Sequence, residues 1–172
     1  IYRLFLTTDV AAAVDADHAS INALQAGDID SAIVHGRKAI ELFTALSDPE
    51  ALRVLVALGP LLDAVQDRAG AIEIYSRVIA SIPETELDET TRTTRIEAFA
   101  NRGYDRVLTG QLDAAIEDLQ VAIAGAEKLQ RVDLRVEAQL SLGRAWLEKG
   151  EADRAVRILR DSVEKYAQQA NA

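Results

Sequence analysis

The sequence has no cysteine and no methionine, only three prolines and one tryptophan, and 5% aromatic residues. Without cysteine there is no disulfide frame, no thiolate nucleophile and no cysteine-held metal. That suits a reducing cytoplasm, where we expect the chain to work, although periplasmic and exported proteins also do without the residue. No apolar run reaches the roughly 18 residues that a membrane helix needs. No secretory signal opens the chain, and membrane insertion is not expected. Basic side chains are in the minority: 19 Lys and Arg stand against 28 Asp and Glu, a net charge of −9. Nucleic-acid binding through phosphate neutralisation is therefore not expected, whereas basic or neutral partners are. The chain starts at Ile1 without an initiator and reads as a fragment, a processed chain or a trimmed module of a larger protein. Its 15 arginines against four lysines suggest a GC-rich, bacterial source.

The residues present are those of a soluble helical protein. The 172 residues are 49% hydrophobic and 27% charged, enough for one ordinary domain with a core. Ala, Leu, Ile, Val, Glu and Arg dominate, and most of these favour helix.

The chain repeats itself. Ser20, Gly59, Gly103 and Gly143 are each followed twelve residues later by alanine, at Ala32, Ala71, Ala115 and Ala155. The steps between units are 39, 44 and 40 residues. The second halves read GDIDSAIVHGRKAI, AGAIEIYSRVI, GQLDAAIEDLQVAI and GEADRAVRILRDSV. Four units of about 40 residues thus fill the chain, at about 9–46, 48–83, 88–130 and 132–168, with 1–8 as an N-terminal extension.

Each unit reads as two helices. Ile29, Ile33, Gly36, Ile40 and Phe43 recur at steps of four and three, one apolar helical face. Ala155, Leu159, Val163 and Tyr166 do the same in the last unit. QAGD, TGQ and KGE place Gly27, Gly110 and Gly150 at helix ends, where left-handed geometry is cheap only for glycine. Gln66 stands at the corresponding point of the second unit. SDPE offers Ser47 or Asp48 as an N-cap before Pro49. Pro60 should kink its helix. IPETELDETT (82–91) is the longest polar interval, and its acidic run Glu84, Glu86, Asp88, Glu89 is expected to be a loop with an N-cap. Only the opening IYRLFL could be a strand. Gly143, inside a helix, costs roughly 1 kcal/mol against alanine; we expect it to allow close approach to Ala155 on the next helix.

These repeats resemble tetratricopeptide repeats. The residues that carry the likeness are Leu58-Gly59 with Ala71, Tyr75 and Pro83, Asn101-Arg102-Gly103 with Ala115, and Leu142-Gly143 with Ala155. It spans roughly residues 12 to 170. The usual period is about 34 residues, so this is a long-repeat variant, similar to repeats in some bacterial regulators and motor-protein light chains. The resemblance implies an all-α fold, a right-handed α-solenoid of about four helix-turn-helix hairpins. It implies a concave groove lined by the first helix of each pair, which holds a peptide or a partner's helix. Carried over residue by residue, that groove includes Asp17, Ile21, Arg53, Val56, Asp63, Glu97, Asn101, Tyr104, Leu140 and Arg144. The cluster with which the chaperone-tail-binding subgroup clamps a terminal carboxylate is not present. Trp146 falls where the family buries an aromatic.

A catalytic alternative has little to stand on. VDADH (14–18) gathers Asp15, Asp17 and His18 without metal-site spacing, and reads as a solvated helix face. No GxSxG, phosphate-binding glycine loop or EF-hand occurs. We expect no enzyme and no cofactor. Two functions remain: a protein-interaction scaffold, with self-association compatible, or a peptide- or ligand-sensing regulatory module of a larger signalling or transcription-control protein. Arg92, Arg95, Arg102 and Arg106 share a helical sector of roughly 80°, a stripe that could grip an acidic or phosphorylated segment. Its structural alternative has the Arg102 stem packed along a neighbouring helix with its head in water, and Arg106 paired with Glu117 or Asp118.

Overall fold

The computed structural model describes residues 2–46, 49–64, 66–83 and 88–170, and their side chains except at 2–8, 49–50, 63–64 and 168–170. Ser47, Asp48, Glu84 and Glu86 lie outside the described residues. In chain order the helices are α1 (Tyr2–Gln25), α2 (Ile29–Leu46), α3 (Pro49–Ala64), α4 (Arg68–Ser81), α5 (Glu89–Leu108), α6 (Leu112–Lys128), α7 (Val132–Glu148) and α8 (Ala152–Ala170). No strand occurs among the described residues. The one strand candidate, IYRLFL, is helical from Tyr2 onward, because no strand among the described residues offers it an edge and helix-forming alanines continue it.

Among the described residues, five in left-handed conformation punctuate the helices. Gly27, Gly110 and Gly150 have φ of 76°, 76° and 81°; Gln66 and Gln130 have φ of 61° and 55°. After each, the next residue's N–H reaches back to the carbonyl five positions earlier. The bonds run from Asp28 to Ala23 (2.9 Å), Asp67 to Leu62 (2.8 Å), Gln111 to Arg106 (2.8 Å), Arg131 to Ala126 (2.9 Å) and Glu151 to Trp146 (2.8 Å). This is the Schellman closure, which satisfies carbonyls that the helix end would leave open. Gln66 therefore takes the turn-glycine's conformation despite its Cβ, and Gln130 does the same at a turn with no glycine signal. Aspartates restart the chain: Asp28, Asp67 and Asp88 accept from the N–H groups of Ser31 (3.1 Å), Gly70 (3.1 Å) and Thr91 (3.0 Å). Asp88 is thus the N-cap expected within the acidic run. Helix α3 continues on both sides of Pro60.

Two compact units result, Ile1–Ile74 and Tyr75–Ala172. In the first, α1 packs on α2 and α2 on α3. In the second, α5, α6, α7 and α8 pack successively, and α5 also touches α7. In the second unit, packing in chain order with α5 also against α7 is the layering of stacked helical repeats in an all-α fold. Alanines floor the seams: Ala13, Ala32, Ala39, Ala71, Ala115, Ala145 and Ala155 are wholly buried. Around them lie Phe43, Leu55 and Leu62 in the first unit, and Ile96, Val107, Leu119 and Leu142 in the second.

Small residues do bring helices together: the twelve-residue partner is met at Ser20 and Gly103, and the nearest side chain over Gly103 and Gly143 is the leucine one turn past the alanine. A Cβ on Gly143 would lie 2.8 Å from Leu159 Cδ2, and one on Gly103 2.7 Å from Leu119 Cγ. Ala155 and Ala115 clear the space, and the leucine one turn later leans back over the glycine, as helical side chains lean toward their own N-terminus. Ala115 still comes close, since its carbonyl oxygen is 3.3 Å from the Gly103 Cβ position. In the first unit Ser20 donates its hydroxyl to the Ala32 carbonyl at 2.9 Å, and a Cβ on Gly36 would collide with Leu61.

Two expected apolar faces are rotated. In α2 the buried row is Ala32, Gly36, Ala39 and Phe43, while Ile29 is 50% exposed and Ile33 and Ile40 are half-buried. The seam selects the smallest side chains, and the isoleucines flank it. In α8, Ala155 and Ser162 are buried, whereas Val163 and Tyr166 are exposed. The equivalent positions on α6, Ile123 and Ala126, are covered because α6 packs between α5 and α7; α8 packs on α7.

Candidate protein-binding grooves

Helices α1 and α3 leave a trough between them. Its larger chamber, about 430 Å³, is lined by Asp17, Ser20, Ile21 and Leu24 from α1 and by Arg53, Val54, Ala57, Leu58, Pro60 and Leu61 from α3. A second chamber of about 260 Å³ continues along α1 past Val10, Val14 and His18, with Phe43, Leu46 and Ala51 at its base. Asp17, Arg53 and Val54 line both. Water reaches the apolar wall: Ile21 is 42% and Leu24 44% exposed. On α1 the lining positions 10, 14, 17, 21 and 24 fall at helical steps of three and four, which places them on one face.

Three of the expected groove residues of this unit, Asp17, Ile21 and Arg53, therefore meet in one trough. Val56 does not: it is 4% exposed and belongs to the core, since the open face of α3 runs through Ala57 and Pro60. The Asp63 side chain lies outside the described residues. Sequence reasoning missed Leu24, Val54, Ala57 and Pro60. The periodic signal for Val54 and Ala57 was present, but nothing in it separated a trough-facing apolar residue from a core one.

In the second unit the expected groove residues lie on α5 and α7, which touch. Glu97 and Asn101 are half-buried, Tyr104 is 41% exposed, and Leu140 is 54% exposed. Arg144 holds Glu148 one turn on, its Nε donating at 2.9 Å. At the turn into α7, Arg131 grips Asp133 with two donated bonds of 2.9 and 2.6 Å. That pairing lowers the Asp133 carboxyl and raises the Arg131 guanidinium; Glu97 and Glu89 add smaller contributions to the arginine. A recess of about 440 Å³ lies beside this turn, lined by Glu127, Gln130, Arg131 and Arg135 among others. Two aspartate caps are also held below the usual carboxylate range. At Asp28 and Asp88 the largest cause is a side-chain hydrogen bond, from Ser31 and Thr91 respectively.

The arginine stripe does not present four free cations. Asp118 on α6, its side chain 5% exposed, accepts two bonds from Arg102 (2.8 Å from Nε, 2.7 Å from Nη2) and a third from Arg106 (2.7 Å). Arg102 also donates to the Ser76 hydroxyl at 3.0 Å. Its side chain is 13% exposed, so its head is not in water as the structural alternative supposed; the bidentate fork favours a carboxylate inside the repeat seam. Of the two partners considered for Arg106, Asp118 is the one it takes. Arg95 lies 4.9 Å from the Phe99 ring centre, and Arg102 5.4 Å from it. Arg92 is exposed at the outer end. Two of the four candidate anion-binding arginines are thus already engaged by Asp118.

Trp146 packs partly buried against the second unit's core, with the Arg154 guanidinium 4.5 Å from its ring centre. Asp15 and His18 are exposed on α1. Among the described residues no three histidine, aspartate or glutamate side chains converge as metal ligands. No described helix is long and apolar enough to cross a membrane.

No protein-family model matches the chain, and no curated protein matches it. Among solved structures it is similar to the crystal structure of MamA, with 24% sequence identity and a TM-score of 0.44, over 89% of this chain and 97% of that one.

Proposed function

We propose that this chain is a protein-interaction module of the tetratricopeptide-repeat kind, which acts by binding rather than by catalysis. Its partner is a peptide segment or helix of another protein, and the seat in the first unit is the α1/α3 trough. The observation that carries this is the trough itself: apolar side chains such as Ile21 and Leu24 stand in water on a concave surface between two helices. Such a surface gains free energy when a partner covers it, at about 25 cal/mol per Å² of apolar area. Few convergent charges line it, and those present, Asp17 and Arg53, suit orientation of a partner better than bond-making chemistry.

The test is site-specific crosslinking in cells that contain the natural partners. A photoreactive amino acid at Leu24 should trap a defined partner, and one at Val34, which is 66% exposed on α2, should not. Equal trapping from both positions, or trapping from Val34 alone, would sink the proposal.

A further inference from the structure

Within the reading of the trough as a peptide seat, on which this inference rests, we infer the class of peptide it takes: an extended segment with two apolar anchors, set among lysines or arginines. The anchors follow from the shape. The two chambers share a waist at Asp17, Arg53 and Val54. On α1 the lining runs over positions 17–24 in one chamber and 10–18 in the other, so their middles lie about six to seven residues apart. At 1.5 Å per helical residue this is about 10 Å, which an extended peptide at about 3.3 Å per residue crosses in about three residues. One anchor enters each chamber, and the residues between them pass the polar waist.

The charge follows from the unit that holds the trough. Residues 1–74 carry eleven acidic and five basic side chains, a net charge of −6, whereas residues 75–172 carry −3. Arg37 is paired with Asp67 at 3.5 Å and Lys38 with Glu41 at 2.8 Å. The waist itself carries one charge of each sign, Asp17 and Arg53, so the preference comes from the unit as a whole, with Asp9 and Asp15 exposed on the same helix as Asp17. A concave apolar surface in an acidic body concentrates cationic ligands and repels anionic ones.

The experiment uses the whole chain and three labelled synthetic peptides in fluorescence anisotropy. The first has two leucines about three positions apart among lysines; the second has the same leucines among glutamates; the third has the lysines but serines in place of leucines. The first should bind about tenfold or more tightly than either of the others, and its affinity should fall as salt is added. Ala57→Arg, at an exposed helical position in the larger chamber, should abolish its binding without loss of helicity; Asp17→Arg should narrow the gap between the lysine and glutamate peptides. If the glutamate peptide binds as well as the lysine peptide and Ala57→Arg removes both, the trough remains a peptide seat and the inferred charge class is overturned. If the serine peptide binds equally, the apolar anchors are overturned. If no peptide binds, or Ala57→Arg leaves binding intact, the trough is not the seat and the proposed function falls with the inference.

Discussion

Gly103 and Gly143 hold equivalent places in neighbouring repeats, yet replacing each with alanine should have different outcomes. At either site alanine gains roughly 1 kcal/mol of helix propensity. Against this stands the space the new methyl must enter. At Gly103 it would lie 2.7 Å from Leu119 Cγ, 2.9 Å from Leu119 Cδ2 and 3.3 Å from the Ala115 carbonyl oxygen. Leu119 is wholly buried, and the carbonyl belongs to helix backbone, so neither neighbour can step aside. Overpacking of this kind costs about 1–3 kcal/mol, and Gly103→Ala should lose up to about 2 kcal/mol net once propensity is counted. At Gly143 the contacts are similar, 2.8 Å to Leu159 Cδ2 and 2.9 Å to Cγ, but Leu159 is only half-buried, on a helix whose far edge is open. It can swing outward, and Gly143→Ala should be neutral to within about 1 kcal/mol. Thermal melts followed by far-UV circular dichroism resolve this, because each kcal/mol moves Tm by about 2–4 °C in a chain of this size. The double variant Gly103→Ala with Leu119→Ala should lose less than the two single losses combined, since the methyl then enters space the leucine has vacated. Gly103→Ala melting at or above the parent, or Gly143→Ala falling further than Gly103→Ala, would refute the reasoning.

Asp118→Asn should destabilise the second unit by about 3–5 kcal/mol in urea melts, because it leaves Arg102 and Arg106 largely buried without their carboxylate; a loss near zero would mean that water serves both guanidiniums. Gln66→Gly and Gln130→Gly should each stabilise the chain slightly, since a left-handed residue with a Cβ costs about 1–2 kcal/mol and only part of that gain returns as unfolded-state entropy. A lower Tm in both variants would count against the strain. The depressed carboxyls of Asp28, Asp88 and Asp133 bind protons less readily in the folded state than in the unfolded one. Their contribution is complete above the unfolded carboxylate pKa of about 4 and is lost as pH falls through the lower folded values. Asp88→Ala should therefore reduce stability at neutral pH and flatten its acid dependence; an unchanged acid limb would show that this cap does not titrate with folding.

Much of the architecture was legible before any coordinates. The four-fold recurrence of a small residue and an alanine twelve positions apart marks helix pairs, because that spacing joins two helical faces across a turn. The turns at Gly27, Gly110 and Gly150 were legible for the same local reason: a left-handed residue favours glycine, and glycine is visible in the text. The turn at Gln130 was not, since its residue carries no such mark and is held there by the hydrogen bonds that close α6. The arginine stripe was legible as a sector of α5 but not as a pairing. Which carboxylate meets Arg102 and Arg106 depends on how α6 lies against α5, and among the acidic residues of α6 only Asp118 lies within reach of both.

Local chemistry acts within about one helical turn, so the sequence by itself determined the helices, their caps, the repeat and the acidic balance of the first 74 residues. Burial is decided between helices. The tertiary structure alone turned α2 so that Ala32 and Ala39 lie in the seam rather than Ile29. It laid Leu159 over Gly143, sent Val56 into the core, and left Ile21 and Leu24 bare beside Ala57. An apolar side chain carries the same hydropathy in a core as in a groove; which it occupies depends on whether the next helix covers it, and that is a property of the packed chain.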